Sequence, residues 1–317
     1  MRELTRSNDP VFLSYLCAEL SAEGIEALVL DAFASSVLQP MNMTASQRVM
    51  VADEDYWSAW AVAEEAEERT TEDRILDGRA ILLQPKAGFR AAIDPILLAA
   101  SVPADTGDQV LDVGSGSGVA TIALLARVQG ISVTGMDVQP GLVAMATRSA
   151  TRNDFDALAR FIHVDIARPN AAINAMKFDH VMSNPPFLPA DGGQRPRDPA
   201  RALATLESTA DLKAWIEFMD ARLRDRGTLS IIHRTDRVPE IIDALGDSYG
   251  DLKVMACVPI DDGRAVKRSI VQAVKGAPFS EITHRRLVLH SANGDYTEAA
   301  QAILRDGHKL TISEANT

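Results

Sequence analysis

The rhythm of hydrophobic positions changes along the chain. Between Val11 and Glu23, Phe12, Leu13, Leu16 and Leu20 recur at helical spacing behind the helix-starting pair Asp9-Pro10. Gly24 stops that helix. Short runs at Glu3–Thr5, Ile25–Leu30 and Arg48–Val51 read as strands. Tyr56 to Arg69 reads as a second helix whose acidic end, Glu64 to Glu68, is a solvated face. Residues 1–70 thus form a small α+β domain. Trp57 and Trp60 lie three apart on its second helix, and this spacing predicts that at least one packs against the strands. The polar stretch Thr70 to Asp77 reads as a linker into a second domain, residues 71–317.

From Gln109 onward the pattern alternates. Strands are predicted at 109–113, 131–137, 160–165, 178–183, 227–233, 252–258 and 267–274, and helices at 117–128, 141–152, 211–224 and 237–246. Strands interleaved with helices imply right-handed βαβ units, hence an α/β fold with a mainly parallel sheet. Ligands of such sheets bind at the carboxyl ends of the strands.

Length and composition narrow the class without identifying it. A chain of 317 residues with 46% hydrophobic and 24% charged residues suits one large and one small globular domain. Cys17 and Cys257 form no Cys-x-x-Cys pair, so neither a disulfide framework nor a metal site is expected. The first residues lack the apolar core of a signal peptide, and no apolar run approaches the roughly 20 residues of a membrane span. A cytoplasmic protein without membrane contact is the expectation. The net charge of −12 argues at first against nucleic acid. Residues 1–70, however, hold 4 basic and 13 acidic side chains, leaving the remainder nearly neutral.

Candidate chemistry begins at Val110 to Gly118, a buried strand that runs into a Gly-x-Gly-x-Gly turn and a helix. Glycine lets the backbone turn sharply and approach a ligand. Asp112 before Gly114, Ser115, Gly116 and Gly118 would repel a pyrophosphate but accept from a cationic amino-acid moiety. That favours S-adenosylmethionine over NAD as the cofactor. Asp137, followed by Val138, ends the next strand where adenosine cofactors find their ribose ligand; an ordinary helix cap is the alternative. Asp165 ends the third strand, placed to accept from an adenine amino group, with Ile166 packing on the ring. His163, within that strand, reads as structural.

The fourth strand delivers Asn184-Pro185-Pro186-Phe187 at its carboxyl end. A planar exocyclic amine is a poor nucleophile because its lone pair is delocalised. The Asn184 side-chain oxygen and the Pro185 carbonyl can both accept from such an NH2, pulling nitrogen towards tetrahedral geometry. Two prolines fix φ and supply no competing N–H. Phe187 offers a face for a flipped base. In isolation the tetrapeptide is a turn; after a glycine loop it reads as an active site acting on a planar amine.

At these residues the chain resembles the class I methyltransferases of the amino-methylating branch. Gln84 to Ala100 and the tail from Leu287 to Ala300 are similar to segments of the bacterial tRNA(Val) adenine-N6-methyltransferases, which modify the adenine beside the anticodon. The resemblance covers roughly residues 71–310 and implies a Rossmann-like seven-stranded sheet with its last strand antiparallel. It also implies that Arg90 and Asp94 face the cofactor or substrate pocket; a salt-bridged pair capping the next helix is the alternative. Asp137 stands where relatives commonly have Glu. Residues 1–70 resemble a small bacterial domain known only as signal-transducing, with no partner implied.

The leading reading is therefore S-adenosylmethionine-dependent N6-methylation of an adenine in tRNA. Methylation of a protein glutamine amide uses the same Asn-Pro-Pro geometry and is the rival. rRNA adenine methylation is a further alternative, as is a regulatory protein that only binds the cofactor. Phe187 and the basic residues Arg195, Arg197 and Arg201 favour RNA, although those arginines also suit a solvated loop.

Overall fold

The computed structural model describes residues 1–7, 10–30, 47–68, 70–85, 93–187 and 211–312. The chain opens with β1 (Arg2–Ser7), α1 (Pro10–Ala22), β2 (Ala27–Leu30), β3 (Gln47–Val51) and α2 (Tyr56–Glu68). The strands make an antiparallel sheet in the order β1-β3-β2. Leu13, Leu16 and Leu20 of α1 pack on Val49 and Val51 in a core of their own. Among the described side chains of α2, Ala59 is fully buried, whereas Trp57 is 68% and Trp60 40% exposed. This corrects the expectation that one tryptophan enters the core. The inward face of α2 passes through Tyr56, Ala59 and Ala63, and at 3.6 residues per turn Trp57 sits about 160° round from Ala59. The two indoles instead meet edge to face, with centroids 6.2 Å apart.

The polar stretch after residue 69 is no linker. It forms β4 (Thr70–Ile75), paired antiparallel with β5 (Ala80–Pro85). Leu76 and Asp77 take φ of 51° and 55° in the connecting turn. Asp77-Gly78 is a hairpin-forming pair, and Ala80 and Leu82 beyond it are fully buried.

Next come α3 (Asp94–Ser101), β6 (Gln109–Val113), α4 (Val119–Arg127), β7 (Ser132–Asp137), α5 (Pro140–Arg152), β8 (Ala159–His163), the short α6 (Ala171–Asn174) and β9 (Phe178–Ser183). They are followed by α7 (Leu212–Arg222), β10 (Leu223–Arg234), α8 (Val238–Leu245), β11 (Tyr249–Ile260), β12 (Arg268–Lys275), β13 (Thr283–His290) and α9 (Glu298–Leu304). Among the described residues these strands form one eight-stranded sheet, ordered β13-β11-β12-β10-β9-β6-β7-β8. All seven predicted strands are present in it, and the last of them, β12, runs antiparallel between β10 and β11. The eighth strand, β13, pairs parallel to β11 at the edge. Its first half, Thr283 to Arg286, is polar, and the apolar run Leu287-Val288-Leu289 is too short to be read as a strand from sequence. Strand β8 ends at His163, so Asp165 lies two residues beyond it.

Apolar layers cover both faces of the sheet. One centres on α3, α4 and α9, with Leu97, Ile122 and Ile303; the other centres on α7 and α8, with Trp215, Met219 and Ile241. The amino-terminal unit rests on α5: Ala144 joins its core, and the Arg148 guanidinium lies 5.5 Å from the centroid of the Phe12 ring. Among the described residues no helix is long and apolar enough to cross a membrane.

Candidate active site

The glycine turn is held from the neighbouring strand. The N–H groups of Gly114 and Ser115 donate to the Met136 carbonyl at 2.8 and 3.0 Å. The N–H of Gly116 donates to Asp137 Oδ2 at 2.8 Å. Gly114 has φ of 71°, and a Cβ there would lie 2.8 Å from the Trp215 ring, so only glycine fits. Gly116, at φ of 54°, has open space where its Cβ would be. The turn is thus packed beneath Gly114 and open above Gly116, a cradle for a close-lying ligand. Gly118, at φ of 85°, caps α4.

Two acids flank this cradle, and both are buried. Asp112 accepts from Thr121 Oγ1 at 2.8 Å, and burial pushes its carboxyl up to about 7. Asp137 accepts from the Gly116 and Gln139 N–H groups, and burial again raises its pKa. A desolvated carboxylate favours a cation or hydroxyl donor beside it. The Val138 carbonyl accepts from His163 Nε2 at 3.0 Å, which gives that histidine a local structural bond. Asp165 accepts from the Ala167 N–H at 3.0 Å, and the half-buried Ile166 packs against the core.

At the end of β9, Ser183 Oγ donates to the Val113 carbonyl at 2.7 Å, joining the two central strands at the rim. Asn184 follows, and its Oδ1 is shielded from solvent with no hydrogen-bond partner among the described residues. Pro185 is buried; Pro186 and Phe187 are half-buried. The Pro186 carbonyl lies 3.2 Å from His233 Nε2. The Phe187 ring meets the His233 ring at 75°, centroids 5.4 Å apart, and the Arg268 guanidinium sits 4.0 Å from the Phe187 centroid. Arg268 Nε donates to Asp94 Oδ2 at 2.9 Å. Asp94 therefore stands at this rim with Arg268 as its partner. Arg90, Arg195, Arg197 and Arg201 lie outside the described residues.

The cluster holds residues that the sequence reading did not select: Trp215, His233 and Arg268. A histidine closing a predicted strand at its carboxyl end was a usable sign for His233. Arg268 opens β12, and only the antiparallel placement of that strand brings it to the rim, with Arg234 paired to Arg268 and His233 to Ser269.

The residues present fit S-adenosylmethionine. An open glycine cradle lies between two buried acids, and an unpaired carbonyl oxygen stands at the neighbouring strand end. Residues 92–198 match the family model of the methyltransferase small domain. Residues 1–67 match a family known only by its description as prokaryotic signal transducing proteins. A tRNA1(Val) (adenine(37)-N6)-methyltransferase of Aeromonas hydrophila is 27% identical over 216 residues, covering 67% of this chain and 87% of that protein. A release factor glutamine methyltransferase of Chlorobaculum tepidum is 28% identical over 166 residues, covering 50% of this chain and 56% of that protein. The crystal structure of a predicted O-methyltransferase from Agrobacterium tumefaciens superposes with a TM-score of 0.56 at 26% identity, covering 69% of this chain and 98% of that one.

Proposed function

We propose that this chain, an S-adenosylmethionine-dependent methyltransferase, methylates the N6 amine of an adenine in tRNA, beside the anticodon of a tRNA-Val type. The observation that carries the proposal is the Asn184 Oδ1 atom, buried and without a partner among the described residues. A buried acceptor left unpaired costs about 1–3 kcal/mol. A planar NH2 entering the site relieves that cost and is held by it.

The cofactor, when bound, supplies an electrophilic methyl group on a sulfonium. The chain's own residues provide position. In this reading Gly114, Ser115, Gly116 and Gly118 line the methionine end, and Asp112 accepts from its ammonium. Asp137 and Val138 take the ribose, while Asp165 and Ile166 take the adenine ring. Arg90 and Asp94 are assigned to the same cofactor or substrate pocket. Asn184 Oδ1 and the Pro185 carbonyl hold the amine hydrogens, so that the nitrogen lone pair points along the line of displacement. Pro186 keeps the segment stiff, and Phe187 stacks on the base.

Relatives named for tRNA adenine methylation support the RNA substrate. The glutamine methyltransferase relative keeps a protein amide as the second reading, since an amide NH2 satisfies the same two acceptors. Within this proposal residues 71–317 are the methyltransferase domain. Residues 1–70 are an accessory unit, supported by their separate core. The deciding experiment incubates the protein with labelled S-adenosylmethionine and total tRNA from a strain lacking it, then analyses nucleosides by mass spectrometry. N6-methyladenosine is expected; label in protein and none in tRNA would transfer the case to glutamine.

A further inference from the structure

We infer that His233 is a positioning residue for methyl transfer, donating to the Pro186 carbonyl so that this oxygen does not compete with Asn184 Oδ1 and the Pro185 carbonyl for an incoming amine. The inference rests on the function proposed above. A carbonyl can only accept, so the 3.2 Å contact places the hydrogen on His233 Nε2. Pro185 and Pro186 themselves carry no N–H that could occupy this carbonyl. With Pro186 occupied, Asn184 Oδ1 and the Pro185 carbonyl remain for a group that carries two hydrogens.

His233 is fully buried at the end of β10. Its Nδ1 has no partner among the described residues. The ring is therefore fixed by the Pro186 bond and by edge contact with Phe187, the side chain that faces the base in this reading. One side chain thus sets both the acceptor pattern and the angle of the stacking ring. Burial and the nearby cations of Arg237, Arg268 and Arg234 keep the imidazole neutral, lowering its pKa to about 4. The donor is consequently a neutral N–H and adds no charge beside the sulfonium.

The test compares His233→Gln, which keeps an N–H at similar reach, with His233→Met, which does not. For each, kcat, KM for the acceptor and S-adenosylhomocysteine affinity by calorimetry are measured. The acceptor is whichever species, tRNA or protein, the wild-type chain methylates, so failure of the adenine reading is seen in the wild type and is separate from failure here. His233→Met should lower kcat by about 10–100-fold with cofactor affinity unchanged, and His233→Gln should recover most of that loss. Equal impairment of both variants, or loss of cofactor affinity in step with kcat, would overturn the assignment. Nitrogen-15 spectra of the wild-type imidazole give an independent reading: hydrogen on Nε2 supports it, and hydrogen on Nδ1 refutes it.

Discussion

Trp215 donates its indole N–H to Ser183 Oγ at 2.7 Å, one residue before Asn184. The same indole fills the space beneath Gly114. A single side chain on α7 therefore supports both the glycine turn and the strand end that leads into Asn184. Trp215→Phe removes the donor and leaves a small void, which should cost about 1–3 kcal/mol of stability. Gly114→Ala pushes a methyl group into the ring and strains a left-handed residue. Both variants should weaken S-adenosylhomocysteine binding, Gly114→Ala by about tenfold or more. Calorimetry at matched folded fraction checks this, and unchanged affinity in Gly114→Ala would remove the turn from the cofactor site.

Asn184→Ala deletes the unpaired oxygen. It should reduce kcat by roughly 10²–10³-fold, the scale of losing one aimed polar group, while cofactor binding persists. Single-turnover methyl transfer measures the first quantity and calorimetry the second. Full activity in this variant would sink the proposed mechanism.

Asp112 makes stability depend on pH in a definite direction. Burial pushes its carboxyl up to about 7 in the folded protein, whereas an unfolded aspartate keeps the ordinary 3.8. Between these values the folded state holds a proton that the unfolded state has released, so stability falls as pH rises through the window. Asp112→Asn should flatten that slope in urea titrations from about pH 4 to 7. If Asp112 receives the cofactor ammonium, cofactor binding near pH 6 should also release a proton. Calorimetry in buffers of different ionisation enthalpy would detect it, and absence of release would leave Asp112 only its bond to Thr121.

Residues 1–70 cover part of α5, the helix that follows Asp137 and Val138. Removing them should speed amide hydrogen exchange in α5 without abolishing cofactor binding. Loss of binding would show instead that the unit completes the site.

What could be read from the sequence followed from local chemistry. Strand and glycine patterns located Asp112, the cradle and Asn184 because each depends on neighbours within a few residues. The Thr70–Pro85 hairpin was missed because its polar outer positions masked the Asp77-Gly78 turn. Trp57 and Trp60 stay outside the core because the small Ala59, not the larger indoles, defines the inward face of their helix. Arg268, His233 and Trp215 were invisible as a group, since 174 residues separate Arg268 from its partner Asp94 and only the folded sheet joins them.

The reversed direction of β12 has a consequence for how such a site diversifies. Parallel strands present their carboxyl ends at the rim, as β9 does with Ser183. Strand β12 presents its first residue, Arg268, so the guanidinium against the Phe187 ring comes from a strand far along the sequence from the glycine turn. Exchange at this one position would change what meets the Phe187 ring and would also release Asp94 from its partner.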